Sequence, residues 1–543
     1  MSSTPAEARR KRLTLIACIL GSGIALLDGT VVNVALPTIQ RELGGGLAGQ
    51  QWVVNGYALT LGSLILLGGS LGDLFGERLV FSVGVCSFGL ASLGCALAPS
   101  IGVLVALRAL QGVASALLTP ASLAVIVSTF PESERGRAIG SWTAWGTIAG
   151  VLGPLVGGEL LEISSWRLIF LINLPLVALC VALITVAMPR AARRTESSRR
   201  VDVPGAALGA LGLAGTVFAL IEQPRLGWGS PGVMGPLIGG VALLAAFVLY
   251  ESRARDPMLP LRLFSRRNFS AGNVETLAMY AGLSILFFFL GLFLQQIAGY
   301  SPLEAGLATL PVTVLMFFLS RRFGALADRY GPRLFMGAGP IVCAAGLLLF
   351  QRIGVRVDYL PDVFPPLLLF ALGLSMTVAP LTASVLADAT SSDAGIASGV
   401  NNAIARVAAL MGTAAVGAAV ASSFASELDH RLAAGALGPA AQKAVAAAKR
   451  LPLGRPDVHA LPHGQARALT AAAEAASLHS FHVGMGIAAV LLALGGLAGA
   501  LGIRNPRGDV AAEDCPAGQL VGSGREIAER ARCTPARLPV KTG

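Results

Sequence analysis

The sequence predicts an all-α polytopic membrane protein of 14 transmembrane helices arranged 6+2+6, with both termini cytoplasmic. Three observations carry this reading. Of 543 residues, 54% are hydrophobic and only 13% charged, about half the charge of a soluble domain, and the mean hydropathy is +0.70. The runs Leu79–Leu107, Thr276–Leu303 and Ala475–Ile503 hold no Asp, Glu, Lys or Arg, and each exceeds the roughly 20 apolar residues that cross a bilayer. The runs are continuous rather than alternating, which disfavours a barrel and leaves helices to satisfy the backbone in lipid.

The gaps between charge clusters place the spans in order near 13–36, 52–72, 79–97, 102–127, 138–157, 167–188, 205–222, 232–250, 270–297, 304–320, 334–351, 364–388, 396–421 and 481–503. Arg9, Arg10, Lys11 and Arg12 precede the first. Arg190, Arg193, Arg194, Arg199 and Arg200 follow the sixth, Arg253, Arg255, Arg262, Arg266 and Arg267 the eighth, and Arg321, Arg322, Arg329 and Arg333 the tenth. The short loops of the opposite face carry few basic residues, Arg41, Arg225, Arg352 and Arg356 among them. With the N-terminus inside, this is the positive-inside bias. The net charge of +11 therefore reports topology and not a nucleic-acid surface. No small-residue cleavage site follows the basic N-terminus, so the first span reads as retained. The seven cysteines have no metal or CxxC spacing and read as small buried hydrophobes.

A loop motif repeats. GSLGDLFGER over residues 69–78 recurs as GALADRYGPR over 324–333, after the second and the tenth spans. Two six-helix halves would place the copies six spans apart, and here they are eight apart, so two helices are inserted. The expected organisation is a cytoplasmic N-terminus (1–12), an N-terminal half (13–188), basic linkers enclosing the inserted pair (189–269), a C-terminal half (270–503) with a partly helical outer-face segment (423–479), and a disordered cytoplasmic tail (504–543).

These motifs resemble the major facilitator superfamily, whose loop signature both repeats match. LDGTVVNVALP (27–37), RALQG (108–112), GTIAGVLGPLVGG (146–158) and WRLIFLINLP (166–175) are similar, in order, to the first-, fourth-, fifth- and sixth-span signatures of its fourteen-helix drug:proton antiporters, the EmrB/QacA branch. The resemblance implies a proton-coupled exporter of amphipathic small molecules. The first loop copy departs from the pattern, with Leu74 and Glu77 where basic residues are usual. Leu310–Val314 and Asn401–Arg406 lack the extra acids common in dication exporters of the family.

Asp28, about two thirds along the first span, is the leading proton-coupling residue, because an ionisable group inside an apolar helix is costly and marks a functional pathway. Arg108 is expected as its cationic partner, with Glu275 and Glu222 as further acids. Asp73, Arg78, Asp328, Arg329 and Arg333 are read as a cytoplasmic gate, Asp73 capping a helix near Gly395 and Asp328 one near Ala138, by charge–dipole contacts of about 0.3–1 kcal/mol each. Gly146, Gly150, Gly153 and Gly157, with Pro154 and Gly158, form the antiporter motif: small residues admit a neighbouring helix and the proline permits a kink. Asn33, Gln111, Phe289, Phe293, Gln296 and Arg406 are the expected cavity residues, with Phe287, Phe288 and Gln295 beside them.

Gly68–Gly72 fits GxSxG but lacks the strand–turn–helix setting of a hydrolase. All five histidines lie in or beside the outer segment, and no Walker A or HExxH pattern occurs. The chain is therefore expected to be no enzyme, to need no cofactor or metal beyond a proton gradient, and to sit as a monomer in a bacterial cytoplasmic membrane, with accessory efflux proteins as conceivable partners. A dedicated metabolite or natural-product exporter and a non-transporting sensor or scaffold are the alternative readings.

Overall fold

A computed structural model describes residues 5–188, 202–254, 257–387, 394–433 and 438–505. Most of the first linker, and the tail from residue 506, lie outside the described residues, as does the Asp73 side chain.

The helices are, in order, α1 (Pro5–Leu43), α2 (Gly46–Phe75), α3 (Glu77–Ala96), α4 (Ile101–Thr129), α5 (Glu132–Ile163), α6 (Leu168–Leu171), α7 (Asn173–Ala187), α8 (Val203–Leu226), α9 (Pro231–Glu251), α10 (Arg267–Gln296), α11 (Pro302–Tyr330), α12 (Pro332–Leu349), α13 (Phe364–Ala387), α14 (Ala394–Leu432), α15 (Pro439–Ala448) and α16 (His463–Gly502). Thirteen segments are long and apolar enough to cross a membrane, by length and composition, among the described residues. They coincide with thirteen of the spans read from the sequence, and the remaining one, 52–72, falls inside α2.

Local chemistry sets several boundaries. Gly76 and Gly331 hold the same place in the two loop copies, each a single residue between two helices, and they take φ of 92° and 85°. Only glycine enters that region without strain, so the repeated motif is a repeated tight turn. Ser301 and Glu304 form a reciprocal capping box at the start of α11. Helices overrun the expected spans where polar residues are still good helix formers. α5 begins at Glu132 and not at 138, and α14 and α16 run on as 39- and 40-residue helices. The segment 423–479 thus begins as continued α14 and ends as continued α16, with α15 packed against them around Phe424, Leu428, Val445 and Leu469. The sixth span is broken, α6 and α7 being separate helices.

Two sets of helices pack mainly among themselves. In one, α2 and α3 lie on α4, and α1 on α5 and α7; in the other, α10 lies on α14 and α16, α11 on α13, and α12 on α13 and α16. The inserted helices α8 and α9 pair together, and α8 also touches α2 and α14, one helix from each set. In lipid, close packing replaces the hydrophobic drive, and glycine provides it. A Cβ at Gly84 would lie 2.8 Å from the Leu118 nitrogen, and one at Gly346 would lie 2.7 Å from that of Phe370. Leu90, Val186, Ile238, Phe317 and Leu501 stay more than half exposed, as suits a lipid-facing perimeter.

Candidate functional site

The end of the bundle that the charge bias assigns to the outside is called here the outer end. Asp28, on α1, is fully buried, and three side chains converge on it. Arg108 of α4 donates from Nη1 to Asp28 Oδ2. Gln111 Nε2, one turn further along α4, donates to Asp28 Oδ1 at 3.0 Å, and Asn173 Nδ2 at the start of α7 reaches the same oxygen at 3.0 Å. Ser92 of α3 accepts from Asn173 at 2.9 Å and from Gln111 at 3.2 Å while donating to the Phe170 carbonyl. Arg108 is itself tied down. Its Nε donates to Val53 O at 3.1 Å, its Nη1 also donates to Gln111 Oε1 at 2.7 Å, and its guanidinium lies 4.4 Å from the Tyr57 ring centroid. Tyr57 in turn bonds Ala25 O and Ser115, both at 3.0 Å.

Every charge in this network therefore has a counter-charge or a dipole, the condition under which a buried ion pair persists. Arg108 lies against Asp28, the placement expected of the two as partners. Gln111 does not line an open cavity: it is fully buried and bridges the pair. Asn173, Ser92 and Tyr57 were given no role by the sequence reading. Asn173 lies inside the quoted WRLIFLINLP segment, and its amide in an apolar run was the available signal. Ser92 and Tyr57 carry no distinguishing signal, because hydroxyls are common in such helices.

The other expected residues divide. Glu275 on α10 is fully buried, and both carboxylate oxygens lack a hydrogen-bond partner; a Cβ at Gly499 of α16 would lie 2.5 Å from one of them. Glu222 has two partners, accepting from Trp52 Nε1 at 3.1 Å and Arg225 Nε at 2.8 Å, and so fastens α8 to α2. Phe288, Phe289 and Phe293 are core residues and not cavity wall: all three are buried, and Phe293 stacks on Phe481 of α16 at 4.4 Å. Gln295 and Gln296 line a pocket of about 450 Å³ at the outer end, with Arg41, Tyr300 and Arg455. Asn33 is partly exposed on α1.

Among the described residues, Arg78, Asp328 and Arg329 show no contact with the opposite set, and the Asp73 side chain lies outside the described residues. Asp328 is exposed, and the helix it was expected to cap starts at Glu132, with Ala138 buried one to two turns inside it. Arg329 lies 5.3 Å from the Tyr330 ring. Arg333 Nε donates to Ala500 O at 2.6 Å, and Arg267 donates to Leu501 O and Gly502 O at 2.7 Å, so both serve the carbonyl end of α16 within their own set. Arg78 is partly buried at the start of α3.

The described contacts between the sets gather toward the outer end. Gln51 Nε2 donates to Thr413 O at 2.6 Å, and Thr413 Oγ1 donates to Asn55 Oδ1 at 3.2 Å, joining α2 to α14. On the other flank α5 meets α11: a Cβ at Gly158 would lie 2.5 Å from Leu303 Cα, and one at Gly306 would lie 2.7 Å from Pro154 O. A Cβ at Gly157 would lie 2.6 Å from Val31 and one at Gly146 3.1 Å from Leu26, both on α1, whereas one at Gly150 would meet nothing within 4 Å. Gly153 also meets α1, at Thr30 and Leu27. Of the expected glycine face, only Gly150 lies off it.

A bundle of apolar helices in two sets, closed at one end and holding one fully compensated ion pair at membrane depth, has the architecture of a membrane carrier. Residues 18–413 match the Major Facilitator Superfamily, and the chain belongs to that family. It is 38% identical to the puromycin resistance protein of Streptomyces alboniger over 77% of this chain and 83% of that one. It is 34% identical to the tetracenomycin C resistance and export protein of Streptomyces glaucescens, over 78% of each. Identity to the multidrug resistance protein Stp of Mycobacterium tuberculosis is also 34% over 78% of each. Among solved structures, a bacterial homologue of the human lysosomal transporter Spinster, in an inward-facing and unoccupied conformation, superposes with a TM-score of 0.59 over 93% of this chain and all of that one, at 16% identity. That likeness shows the fold. The chain is a multi-pass membrane transporter.

Proposed function

We propose that this chain exports antibiotic-like amphipathic molecules across the bacterial cytoplasmic membrane in exchange for protons, using Asp28 as the proton carrier. The observation that carries the reading is the Asp28–Arg108 pair, fully buried and served by Gln111 and Asn173. The names of the relatives support the export of antibiotics.

In the arrangement described, the sets touch toward the outer end and Asp28 is engaged by Arg108. This is the state an antiporter presents after delivering its proton inward and before taking up cargo. Opening the outer end would expose α1 to the outside, where protonation of Asp28 would release Arg108 and displace the cargo. One proton crossing about 100 mV and one pH unit supplies roughly 3.7 kcal/mol, enough for a gradient of several hundred-fold. Glu275, buried and without a donor, is the second proton site in this proposal; Glu222, paired on both oxygens, is a fastening residue. The Asp328 and Arg329 loop would engage the opposite set only when the cytoplasmic end closes.

A narrower reading has one specific support: several relatives are named for single compounds, puromycin, tetracenomycin C and methylenomycin A. Ethidium efflux from pump-deleted cells expressing this chain, with and without an uncoupler, tests the broad reading. Efflux that the uncoupler stops and Asp28→Asn abolishes at matched expression is the expected result. Efflux indifferent to both would remove proton exchange from the account. Lack of ethidium efflux combined with protection against one compound would establish the narrow reading.

A further inference from the structure

Arg406 is the charge that the proton-coupling network leaves unexplained. It lies on α14, 12 residues from Ala394, which at 1.5 Å per residue is about 18 Å along the helix, near the middle of a hydrocarbon layer of about 30 Å. It does not face lipid. Its Cβ lies 3.3 Å from where a Cβ of Gly62 would be, on α2 of the opposite set. The α2–α14 seam then continues outward through Asn55–Thr413, Gln51–Thr413 and Gln51–Gly417. Arg406 is thus the innermost of the described contacts between α2 and α14. One turn further in, Asn402 is exposed, so Arg406 stands at the head of the opening between the sets.

Among the described residues, Arg406 makes no hydrogen bond and no ion pair, although it is only partly exposed. Tyr280 of α10 lies within electrostatic reach of it, and its hydroxyl likewise has no described partner. Tyr57 is also in reach, but its hydroxyl is committed to Ala25 and Ser115. Among the described residues, no acid lies near enough to compensate the cation. α14 has no Asp or Glu before Glu427, the acid of α2 is Asp73, 11 residues from Gly62, and Asp28 is already engaged by Arg108. Glu275 of α10 packs away from the seam, against Gly499 of α16. Intramembrane arginines pair or mark a substrate path, and a guanidinium presents paired donors that a carboxylate accepts, to which a hydroxyl within reach adds a further donor.

We propose that Arg406 and Tyr280 anchor an ionised acidic group, a carboxylate or an acidic phenol, on the exported molecule. This rests on the export reading and deepens it by naming a substrate class. The test uses two xanthene dyes of similar shape and opposite charge, fluorescein (anionic) and rhodamine 123 (cationic). Each is titrated against the full chain in lipid nanodiscs and followed by fluorescence anisotropy. The wild type should bind fluorescein more tightly than rhodamine 123. Arg406→Gln should weaken fluorescein at least tenfold and leave rhodamine 123 unchanged or tighter. Arg406→Lys should hold fluorescein to an intermediate loss, and Tyr280→Phe should weaken it less than Arg406→Gln. Size-exclusion profiles and rhodamine 123 binding report whether each variant is folded. A wild type that prefers rhodamine 123, or an Arg406→Gln chain that binds fluorescein within twofold of wild type, would overturn the anchor. Dye export in proteoliposomes under a proton gradient is scored separately. Transport of rhodamine 123 with indifference to fluorescein would keep the export reading and discard the anchor, whereas Arg406-dependent fluorescein binding without transport of either dye would do the reverse.

Discussion

Adding one methyl group at Gly158 should unlock the outer seam. The glycine sits where α5 of one set crosses α11 of the other, and its Cβ would lie 2.5 Å from Leu303 Cα and 2.9 Å from Leu303 N. Both are backbone atoms, so no side-chain rotation relieves the clash. Ordinary contact begins near 3.4 Å, so the helices must separate by about 1 Å. Overpacking of this kind costs about 1–3 kcal/mol, which acts only on the state in which α5 and α11 touch and so shifts it against the separated state by roughly 5–150-fold. The natural control is Gly150→Ala on the same helix, where nothing lies within 4 Å. Both changes gain the same helix propensity, up to about 1 kcal/mol, so their difference isolates the seam. Spin labels at the exposed positions Glu162 and Leu307, read by double electron–electron resonance, measure the result. Gly158→Ala should add a longer-distance population that Gly150→Ala lacks. Identical distributions in wild type and both variants would refute the argument that this crossing holds the outer end shut.

Other consequences follow from the same contacts. Asp28→Asn leaves Arg108 charged, buried and unpaired, so thermal unfolding in detergent should show a loss of about 3–5 kcal/mol; the double variant with Arg108→Gln should recover much of it. Asn173→Ala deletes one hydrogen bond to an ionised carboxylate, worth about 1.5–3 kcal/mol, while Ser92 keeps its bonds to Gln111 and Phe170. Uncoupler-sensitive efflux should therefore fall about tenfold or more at matched expression, and undiminished efflux would remove Asn173 from the site. Arg333→Ala and Arg267→Ala each release carbonyls at the end of α16, so hydrogen exchange near the end of that helix should quicken with a stability loss of about 0.3–1 kcal/mol each. Trp52→Phe removes the bond to Glu222, and exchange should quicken in α8 but not in α4.

Spans were legible because lipid imposes a rule that composition records directly: long charge-free runs bounded by basic loops. Asp28 and Arg108 were legible for the same reason, each being a charge where charge is costly. What was not legible depends on which way a helix is turned. The phenylalanines of α10 read as cavity wall, and only the packing of the folded chain, which buries Phe288, Phe289 and Phe293, puts those three in the core. Helix ends were misjudged for a different reason. The overrun of α5, α14 and α16 uses Glu, Arg, Ala and Gln, polar or small residues that favour helix in water as well, and hydropathy is blind to them. The pairing of Arg333 with Ala500, 167 residues away, has no local trace at all.

The antiporter glycines and the buried ion pair, read separately in the sequence, are physically adjacent. Leu27 and Thr30, which flank Asp28 on α1, are the residues against which Gly153 packs, and Val31 is the neighbour of Gly157. On its other side, α5 touches α11 through Gly158 and Pro154. A single helix thus lies between the carboxylate and the outer seam, with glycine contacts on both faces. Because close-packed interfaces switch between discrete arrangements and do not deform smoothly, a change in the Asp28–Arg108 pair that moves α1 by even a fraction of an ångström cannot be absorbed at Gly153 or Gly157. It must shift α5 as a body, and with it the contact at Leu303. The inserted pair closes the opposite flank in the same way: α8 packs Val217 and Ile221 against Leu410 and Ala414 of α14 and bonds Trp52 of α2 through Glu222, so both seams of the outer end are braced by a third helix.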